Sequence, residues 1–112
     1  MKPGETEFLY LTTTGRRTGQ PREIEIWFTE HAGRYYVIAE YGTAQWVRNI
    51  ANNPDVSFRV GEATFRGRAR VINEQADPVL HRYVQYLSRE KYGWGDGVVV
   101  ELLLEAEPSN WK

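Results

Sequence analysis

The sequence LTTTGRRTGQPR, residues 11–22, places a turn between two segments with the character of β-strands. An apolar run that starts at Phe8 precedes it, and an alternating run with Ile24, Ile26 and Phe28 on one face follows it. Glycines on both sides of the basic pair allow the backbone to turn tightly. The pattern therefore predicts a β-hairpin with three arginines at or beside its turn.

The arginines of this turn suggest an anion-binding site. Turn amides that face a common point bind anions, and guanidinium groups match phosphate oxygens in two-point contacts. Thr14 and Thr18 add hydroxyl donors. The turn is therefore a candidate site for the phosphate of a nucleotide-like cofactor, although the same residues also suit an ordinary hairpin with solvated arginines.

The composition predicts one globular domain over residues 1–112. Hydrophobic residues make up 41% and aromatic residues 13%, which argues against a disordered chain. The net charge of −1 gives no overall attraction to nucleic acid or to a membrane surface. Arginine supplies eleven of the fourteen basic residues, a bias that favours ion pairing or anion recognition.

Several kinds of chemistry are excluded by residues that the sequence lacks. Without cysteine there is no disulfide, thiolate nucleophile or zinc–sulfur site. His31 and His81 have no metal-ligand spacing, and no phosphate-loop lysine or nucleophile-elbow motif occurs. No apolar run approaches the ~20 residues of a membrane span, and the start of the chain is polar. We expect a cytoplasmic protein with no membrane span.

Hydrophobic periodicity predicts six strands and two helices. The strands are expected at residues 7–13, 22–29, 35–40, 55–60, 63–72 and 98–105, with residues 31–34 as a turn. The first helix is expected at residues 44–51 after a Thr43 cap, and the second begins at Asp77 and Pro78. Antiparallel strands with helices inserted late in the order favour a small closed or half-closed barrel.

The same periodicity assigns faces. On the fifth strand, the core-facing residues are predicted to be Phe65, Ala69 and Val71. The opposite face carries an arginine stripe formed by Arg66, Arg68 and Arg70. We expect the stripe to pair with Glu23, Glu25 or Glu74, with polyanion binding as the alternative. The predicted apolar stripes of the helices are Trp46, Val47, Ile50 and Ala51, and Val79, Leu80, Tyr83, Val84 and Leu87.

A second candidate region joins the third predicted strand to the first helix, at residues 40–46, EYGTAQW. A strand-to-helix junction has free N–H groups at the helix start, and these suit the polar atoms of a planar heterocycle. A simple capped turn is the alternative. Further along the chain, Trp94 lies between two glycines, where a large apolar side chain needs a partner.

The order of these motifs resembles the deazaflavin-dependent nitroreductase family of split-barrel oxidoreductases. The matching segments are LTTTGRRTGQPR, a strand ending in VIAEYG, then QWVRNIANNPDVSFRVG and ATFRGRARVI. The resemblance is strong over residues 8–72 and weaker beyond them. It implies a mainly β fold with two helices, a six-stranded antiparallel split β-barrel of the FMN-binding split-barrel-like type.

The resemblance also implies a function. Similar proteins transfer hydride from the reduced deazaflavin coenzyme F420 to a small electrophilic substrate such as an enone, a quinone or a nitro compound. Related branches bind FMN or tetrapyrroles, so an FMN- or tetrapyrrole-binding protein without deazaflavin turnover is the alternative. The implied cofactor-binding residues are Arg16, Arg17, Thr18, Arg22, Ile38, Ala39, Glu40, Tyr41, Gln45, Trp46 and Asn49.

The sequence departs from that family at Glu40 and Tyr41, where the nitro-reducing members carry a small hydroxyl residue and a lysine. This difference bears on the substrate more than on the cofactor. The candidate proton donors are Tyr41, Tyr83, Tyr86 and Tyr92. A homodimer is a further expectation, because a small barrel rich in aromatic residues can share its site across an interface.

Overall fold

The computed structural model describes residues 7–105, which form one curled antiparallel sheet and two helices. The strands are β1 (Phe8–Thr14), β2 (Pro21–Trp27), β3 (Thr29–His31), β4 (Arg34–Ala39), β5 (Asp55–Val60), β6 (Ala63–Val71) and β7 (Val98–Leu104). Helix α1 (Gln45–Asn52) follows β4, and helix α2 (Pro78–Tyr92) lies between β6 and β7 in sequence. The strand order is β2-β1-β5-β6-β7-β4-β3.

The sheet has seven strands instead of the predicted six, because the second predicted strand is divided at Phe28. Up to Trp27 the chain pairs with β1, and from Thr29 it pairs with β4. The N–H of Phe28 donates to the Tyr92 hydroxyl at 3.1 Å, and its carbonyl accepts from Lys91 Nζ at 2.9 Å. Side chains from the end of α2 therefore satisfy the backbone where the strand changes partner.

Strands β2 and β3 occupy opposite edges of the sheet, although only Phe28 separates them in sequence. Two consecutive peptide units span at most roughly 7 Å between Cα atoms. The sheet must therefore curl until its two edges meet at this corner. The half-closed barrel predicted from the strand pattern is the result, with mainly β structure and two helices.

The barrel interior holds the main core. Its buried residues are Leu9, Leu11, Phe28, Val37, Ile50, Val56, Phe58, Ala69, Val100 and Leu102. Ile24 and Ile26 pack against this cluster, which confirms the predicted inner face of β2. A smaller cluster around Val84 and Val99 joins α2 to the outer face of the sheet. Burying each large aliphatic side chain contributes about 1.5–3 kcal/mol.

The two helices begin differently. Asp77 caps α2, because its Oδ1 accepts from the Leu80 N–H at 3.3 Å, as predicted. The prediction of Thr43 as a cap is wrong: α1 starts after Ala44, and no side chain caps it. Over residues 7–105, no helix combines the length and apolar character that crossing a membrane requires.

Several predicted core positions are exposed in the structure. Val79 and Tyr83 on α2 are 76% and 40% exposed, because α2 covers the sheet with a narrow stripe around Val84. Val71, which is 42% exposed, and Ala51 lie at the ends of β6 and α1, beyond the area that the neighbouring element covers. The predicted burial of these residues is therefore wrong, although Val71 keeps the predicted inward direction, since its register partner is Val100 of the main core.

The arginine stripe forms ion pairs, but not with the predicted glutamates. Arg70 donates to Glu101 at 2.8 Å, and Arg68 Nε lies 3.7 Å from Asp55 Oδ1. Strand register decides these partners, since Arg70 is directly opposite Glu101 on β7 and Arg68 is opposite Asp55 on β5. Two of the three guanidinium groups of the stripe are thus paired with carboxylates.

Candidate functional site

The turn between β1 and β2 is held by its own backbone. The Gly15 N–H donates to the Gln20 carbonyl at 2.7 Å, and the Gly19 N–H donates to the Gly15 carbonyl at 2.8 Å. Gly19 has a φ of 74°, a conformation that glycine adopts without strain. The Thr18 hydroxyl accepts from the Gln20 N–H at 3.1 Å. The backbone conformation of the turn is therefore fixed, and it determines the positions from which the arginine side chains extend.

Asn49 connects this turn to α1. Its side chain is buried, and its Oδ1 accepts from the Arg16 N–H at 3.2 Å and from Arg16 Nη1 at 3.0 Å. Its Nδ2 donates to Thr13 Oγ1 at 3.1 Å. One amide thus fixes both the backbone and the guanidinium of Arg16, and it ties them to the end of β1.

The turn, β2 and the first half of α1 enclose a cavity of about 440 Å³, here called the arginine cavity. Its lining residues are Gly15, Arg16, Arg17, Thr18, Arg22, Ile24, Gln45, Trp46, Arg48 and Asn49. Four guanidinium groups are present in this lining and no carboxylate. The volume lies in the range of roughly 300–1,000 Å³ that is typical of small-molecule sites.

The charges of the arginine cavity are not balanced by ion pairs within the described part of the chain. Among residues 7–105, no carboxylate pairs with Arg17, Arg22 or Arg48. The uncapped first turn of α1, where Gln45 and Trp46 lie, adds the partial positive charge of a helix start. An arrangement of this kind attracts a ligand with more than one anionic group.

The arginine cavity brings together seven of the eleven predicted cofactor residues, which are Arg16, Arg17, Thr18, Arg22, Gln45, Trp46 and Asn49. Ile38 instead lines a second cavity, and Ala39, Glu40 and Tyr41 line neither of the two. The sequence analysis missed Arg48 and Ile24. Arg48 follows Gln45 by three residues, a spacing that places both on one helix face and would have identified it.

None of the four predicted proton donors lines the arginine cavity. Tyr92 stacks on Trp27 with ring centroids 4.5 Å apart, and burial raises the pKa of Tyr92 to about 12. Tyr83 and Tyr86 lie on the exposed side of α2, and Tyr41 is 65% exposed. The choice of proton donor stays a prediction.

A second polar centre lies outside the arginine cavity, around Glu101 on β7. The carboxylate is completely buried and accepts from Tyr36 at 2.8 Å, from Arg70 at 2.8 and 3.0 Å, and from Arg34 at 3.2 Å. Burial alone would raise the pKa of Glu101, but the hydrogen bonds from Arg70 and Tyr36 outweigh burial and lower it. Glu101 was not predicted from the sequence as a functional or structural centre.

Comparisons with known proteins connect these features to a family. The family model for F420H(2)-dependent quinone reductase matches residues 3–97. An F420H(2)-dependent quinone reductase of Mycobacterium tuberculosis is 31% identical over 90 residues. The aligned region covers 77% of this chain and 60% of that relative, so the chain spans about 60% of the length of its curated relatives.

Solved structures with lower identity share the fold. The heme storage protein HutZ from Vibrio cholerae aligns with a TM-score of 0.77 at 22% identity, covering 92% of this chain and 84% of that chain. An F420-H2 dependent reductase, FDR-A, aligns with a TM-score of 0.69 at 22% identity, covering 88% of this chain and 94% of the other. The predicted resemblance to deazaflavin-dependent oxidoreductases is confirmed by the family match. From that match over residues 3–97, the chain belongs to the F420H(2)-dependent quinone reductase family.

Proposed function

We propose that this chain binds the reduced deazaflavin coenzyme F420 in the arginine cavity and reduces a small electrophilic acceptor, with a quinone as the first candidate. The observation that carries the proposal is the group of four arginines around one cavity whose lining contains no carboxylate. The family match supports F420 as the cofactor and a quinone as the acceptor to be tested first.

The residues present suit this cofactor better than FMN. F420 brings a phosphate and an acidic tail, whereas FMN brings one phosphate group. Four guanidinium groups in a lining that contains no carboxylate exceed what one phosphate needs. A tetrapyrrole is less well supported, because neither His31 nor His81 lines the arginine cavity to ligate a metal.

Each side chain of the cavity has a role in this proposal. Arg17, Arg22 and Arg48 hold the anionic groups, and Asn49 keeps Arg16 in position beside them. The apolar surface of Trp46, together with Ile24, excludes water from one side of the site. When bound, the reduced cofactor supplies hydride to the acceptor.

Reduction of a quinone by hydride also requires a proton at the acceptor oxygen. Of the predicted tyrosine donors, Tyr41 lies on the loop that leads into the cavity wall, and its carbonyl accepts from the Ala44 N–H at 3.1 Å. Because the family resemblance also implies that residue 41 lies beside the cofactor, the Tyr41 hydroxyl is the first candidate for this transfer. The predicted contacts of Ile38, Ala39 and Glu40 with the cofactor ring belong to the same proposal.

The test is a fluorescence titration of the purified protein with oxidised F420, with FMN titrated in parallel. Arg22→Ala and Arg48→Ala should each weaken F420 binding roughly tenfold, because each removes a charge-assisted hydrogen bond. Arg66→Ala is the matched control, since Arg66 is exposed on β6 and outside the cavity. Binding of FMN alone would assign the chain to the FMN-binding branch of the fold. Binding of neither cofactor would overturn the proposal.

Turnover is tested separately by following oxidation of reduced F420 with a quinone, an enone and a nitroaromatic compound. The quinone should be reduced fastest if the family name describes this chain. Tight F420 binding without turnover of any of the three would leave a cofactor-binding protein that is not a reductase for these substrates.

A homodimer is part of the proposal. One structural relative, 22% identical with a TM-score of 0.69, is a domain-swapped dimer. In this chain, the edge strand β2 carries Trp27, whose side chain is 39% exposed. Light scattering coupled to size exclusion should give twice the 13.0 kDa mass of the chain, whereas the single mass would exclude the dimer.

A further inference from the structure

A second cavity, of about 220 Å³, lies where the two edges of the sheet meet, and it is called the seam cavity here. Its lining residues are Phe8, Glu25, Ile26, Trp27, Phe28, Thr29, Tyr36, Ile38, Ser88 and Trp94. It shares no lining residue with the arginine cavity. Strand β2 contributes to both cavities, through Ile24 in one and Ile26 in the other.

The lining of the seam cavity has the opposite chemistry to that of the arginine cavity. Half of its ten lining residues are aromatic, and the lining contains one carboxylate, that of Glu25, which accepts from the Tyr10 hydroxyl at 3.3 Å. The lining contains no guanidinium or ammonium group, and the nearby Lys91 ammonium lies 4.0 Å from the Phe28 ring centre and donates to the Phe28 carbonyl. Flat apolar walls favour planar rings. The carboxylate disfavours an anion, while Thr29 and Ser88 provide polar groups that orient a neutral ligand.

The walls of the seam cavity are held in place by the rest of the fold. The Ser88 hydroxyl donates to the Trp94 carbonyl at 2.6 Å. The next residue, Gly95, packs so closely on α2 that a Cβ would overlap the Gln85 carbonyl. The Trp27 ring is fixed by its stack on Tyr92. A site whose aromatic walls are already positioned loses less entropy when a ligand binds.

We propose that the seam cavity binds a planar aromatic compound of about two fused rings that carries no negative charge. The volume of about 220 Å³ lies below the range typical of drug-sized ligands and therefore sets the size limit. The two proposals share one residue, because Ile38 lines the seam cavity and is also a predicted contact of the cofactor ring, whereas the anionic groups of the cofactor are proposed to bind in the arginine cavity.

The experiment is a calorimetric titration of the full chain, without cofactor, with three matched naphthalene compounds. These are 2-naphthalenemethanol, which is neutral, 2-naphthylmethylamine, which is cationic, and 2-naphthoate, which is anionic. We expect the neutral and cationic compounds to bind and the anion to bind at least about tenfold more weakly, which corresponds to about 1.4 kcal/mol.

Three variants locate the binding. Trp94→Ala removes one wall and should weaken binding of the neutral compound about tenfold. Glu25→Gln, at an exposed position on β2, should bring the anion to within about threefold of the neutral compound, because it removes only the charge. Arg22→Ala is the control in the other cavity and should leave binding of the neutral compound unchanged.

Three results of these titrations would contradict the inference. The inference is overturned if the neutral compound fails to bind, if Trp94→Ala binds it as well as the unaltered protein, or if Arg22→Ala abolishes its binding. Circular dichroism checks that Trp94→Ala is folded, and the charge effect of Glu25→Gln provides a second test if it is not. Because no F420 is present, failure here leaves the proposed function intact.

Discussion

The neutral side chain of Asn49 positions a charged residue of the candidate site. Its amide accepts both from the backbone and from the guanidinium of Arg16, and it donates to Thr13 on β1. Arg16 therefore keeps its full positive charge while losing its freedom to move. A carboxylate in the same place would hold Arg16 equally well, but it would cancel the charge that an anionic ligand needs.

Replacing Asn49 with alanine should therefore affect both stability and binding. Asn49→Ala leaves the buried Thr13 hydroxyl and the Arg16 N–H without their partner, which should lower the free energy of unfolding by about 1–3 kcal/mol. F420 affinity should fall roughly fivefold, because Arg16 is no longer held in place. Urea unfolding and the F420 titration measure the two effects. Asn52→Ala, on the exposed side of the same helix, is the control, and unchanged F420 affinity would mean that Arg16 is positioned without Asn49.

Glu101 is the other residue whose environment determines its behaviour. Its folded-state pKa is lowered below 4.5, because hydrogen bonds from Arg70 and Tyr36 outweigh the effect of burial. A depressed pKa means that the ionised carboxylate stabilises the fold above its ordinary pKa. That stabilisation is lost as the pH falls through the folded-state pKa.

Glu101→Gln should lower the free energy of unfolding at pH 7 by about 3 kcal/mol, since it breaks a buried ion cluster. The value lies at the lower end of the range for such clusters because Arg34 and Arg70 are half exposed and can be solvated. Urea unfolding at several pH values should show a smaller acid-induced loss for the variant than for the unaltered chain. Glu62→Gln, in the exposed turn after β5, controls for charge. Equal acid sensitivity of Glu101→Gln and the unaltered chain would refute this account.

At the β2–β3 corner, helix α2 supplies hydrogen-bond partners to the backbone of the sheet. Helix α2 ends beneath this corner, where the Tyr92 hydroxyl accepts from the Phe28 N–H and lies 2.8 Å from the Phe28 carbonyl. The same hydroxyl lies 2.5 Å from the Glu7 carbonyl at the start of β1. A single tyrosine thus joins both edges of the curled sheet to the helix.

Tyr92→Phe should lower the free energy of unfolding by about 1–2 kcal/mol, because the Phe28 N–H loses its acceptor while the ring stack on Trp27 remains. Burial raises the pKa of Tyr92 to about 12, so its contribution is complete below pH 10.0 and is lost as the pH rises through 12. Thermal unfolding between neutral and alkaline pH should show a smaller alkaline loss for the variant. Tyr86→Phe, on the exposed side of α2, should behave like the unaltered chain. A neutral result for Tyr92→Phe would mean that water replaces the hydroxyl at the corner.

The small net charge of the molecule hides a strong local concentration of positive charge. The net charge is −1, yet the arginine cavity contains four guanidinium groups, and the seam cavity contains one carboxylate. Curling of the sheet separates these two environments along β2. Under the two proposals, ligands of opposite character bind the same small fold at different places.

This separation predicts different responses to salt. Raising NaCl from about 50 mM to about 500 mM should weaken F420 binding roughly tenfold, because counter-ions screen the exposed arginines. The affinity of the seam cavity for 2-naphthalenemethanol should change less than about twofold, because that ligand is neutral. Titrations in parallel at both salt concentrations provide the measurement. An F420 affinity that is independent of salt would argue against binding through the arginines.

Features that depend on neighbours along the chain could be predicted from the pattern of residue types. The period-two pattern of β2, the Asp77 cap of α2 and the basic turn all rest on local geometry, and the structure confirms them. The order of these motifs also sufficed for the family resemblance. Three of the four arginines of the candidate anion site were also predicted, because Arg16, Arg17 and Arg22 lie at or beside one turn, and the role of this site stays a prediction.

Features that depend on contacts between distant segments could not be predicted in this way. The division of the second predicted strand at Phe28 requires Tyr92, which lies far along the chain, to satisfy the backbone. The pairing of Arg70 with Glu101 depends on strand register, and Arg48 joins the site because Asn49 docks α1 on the turn. The seam cavity exists only because the curled sheet brings its two edges together. Local pattern specifies which elements form, but their register and closure are set by burial and hydrogen bonding between elements that the sequence keeps apart.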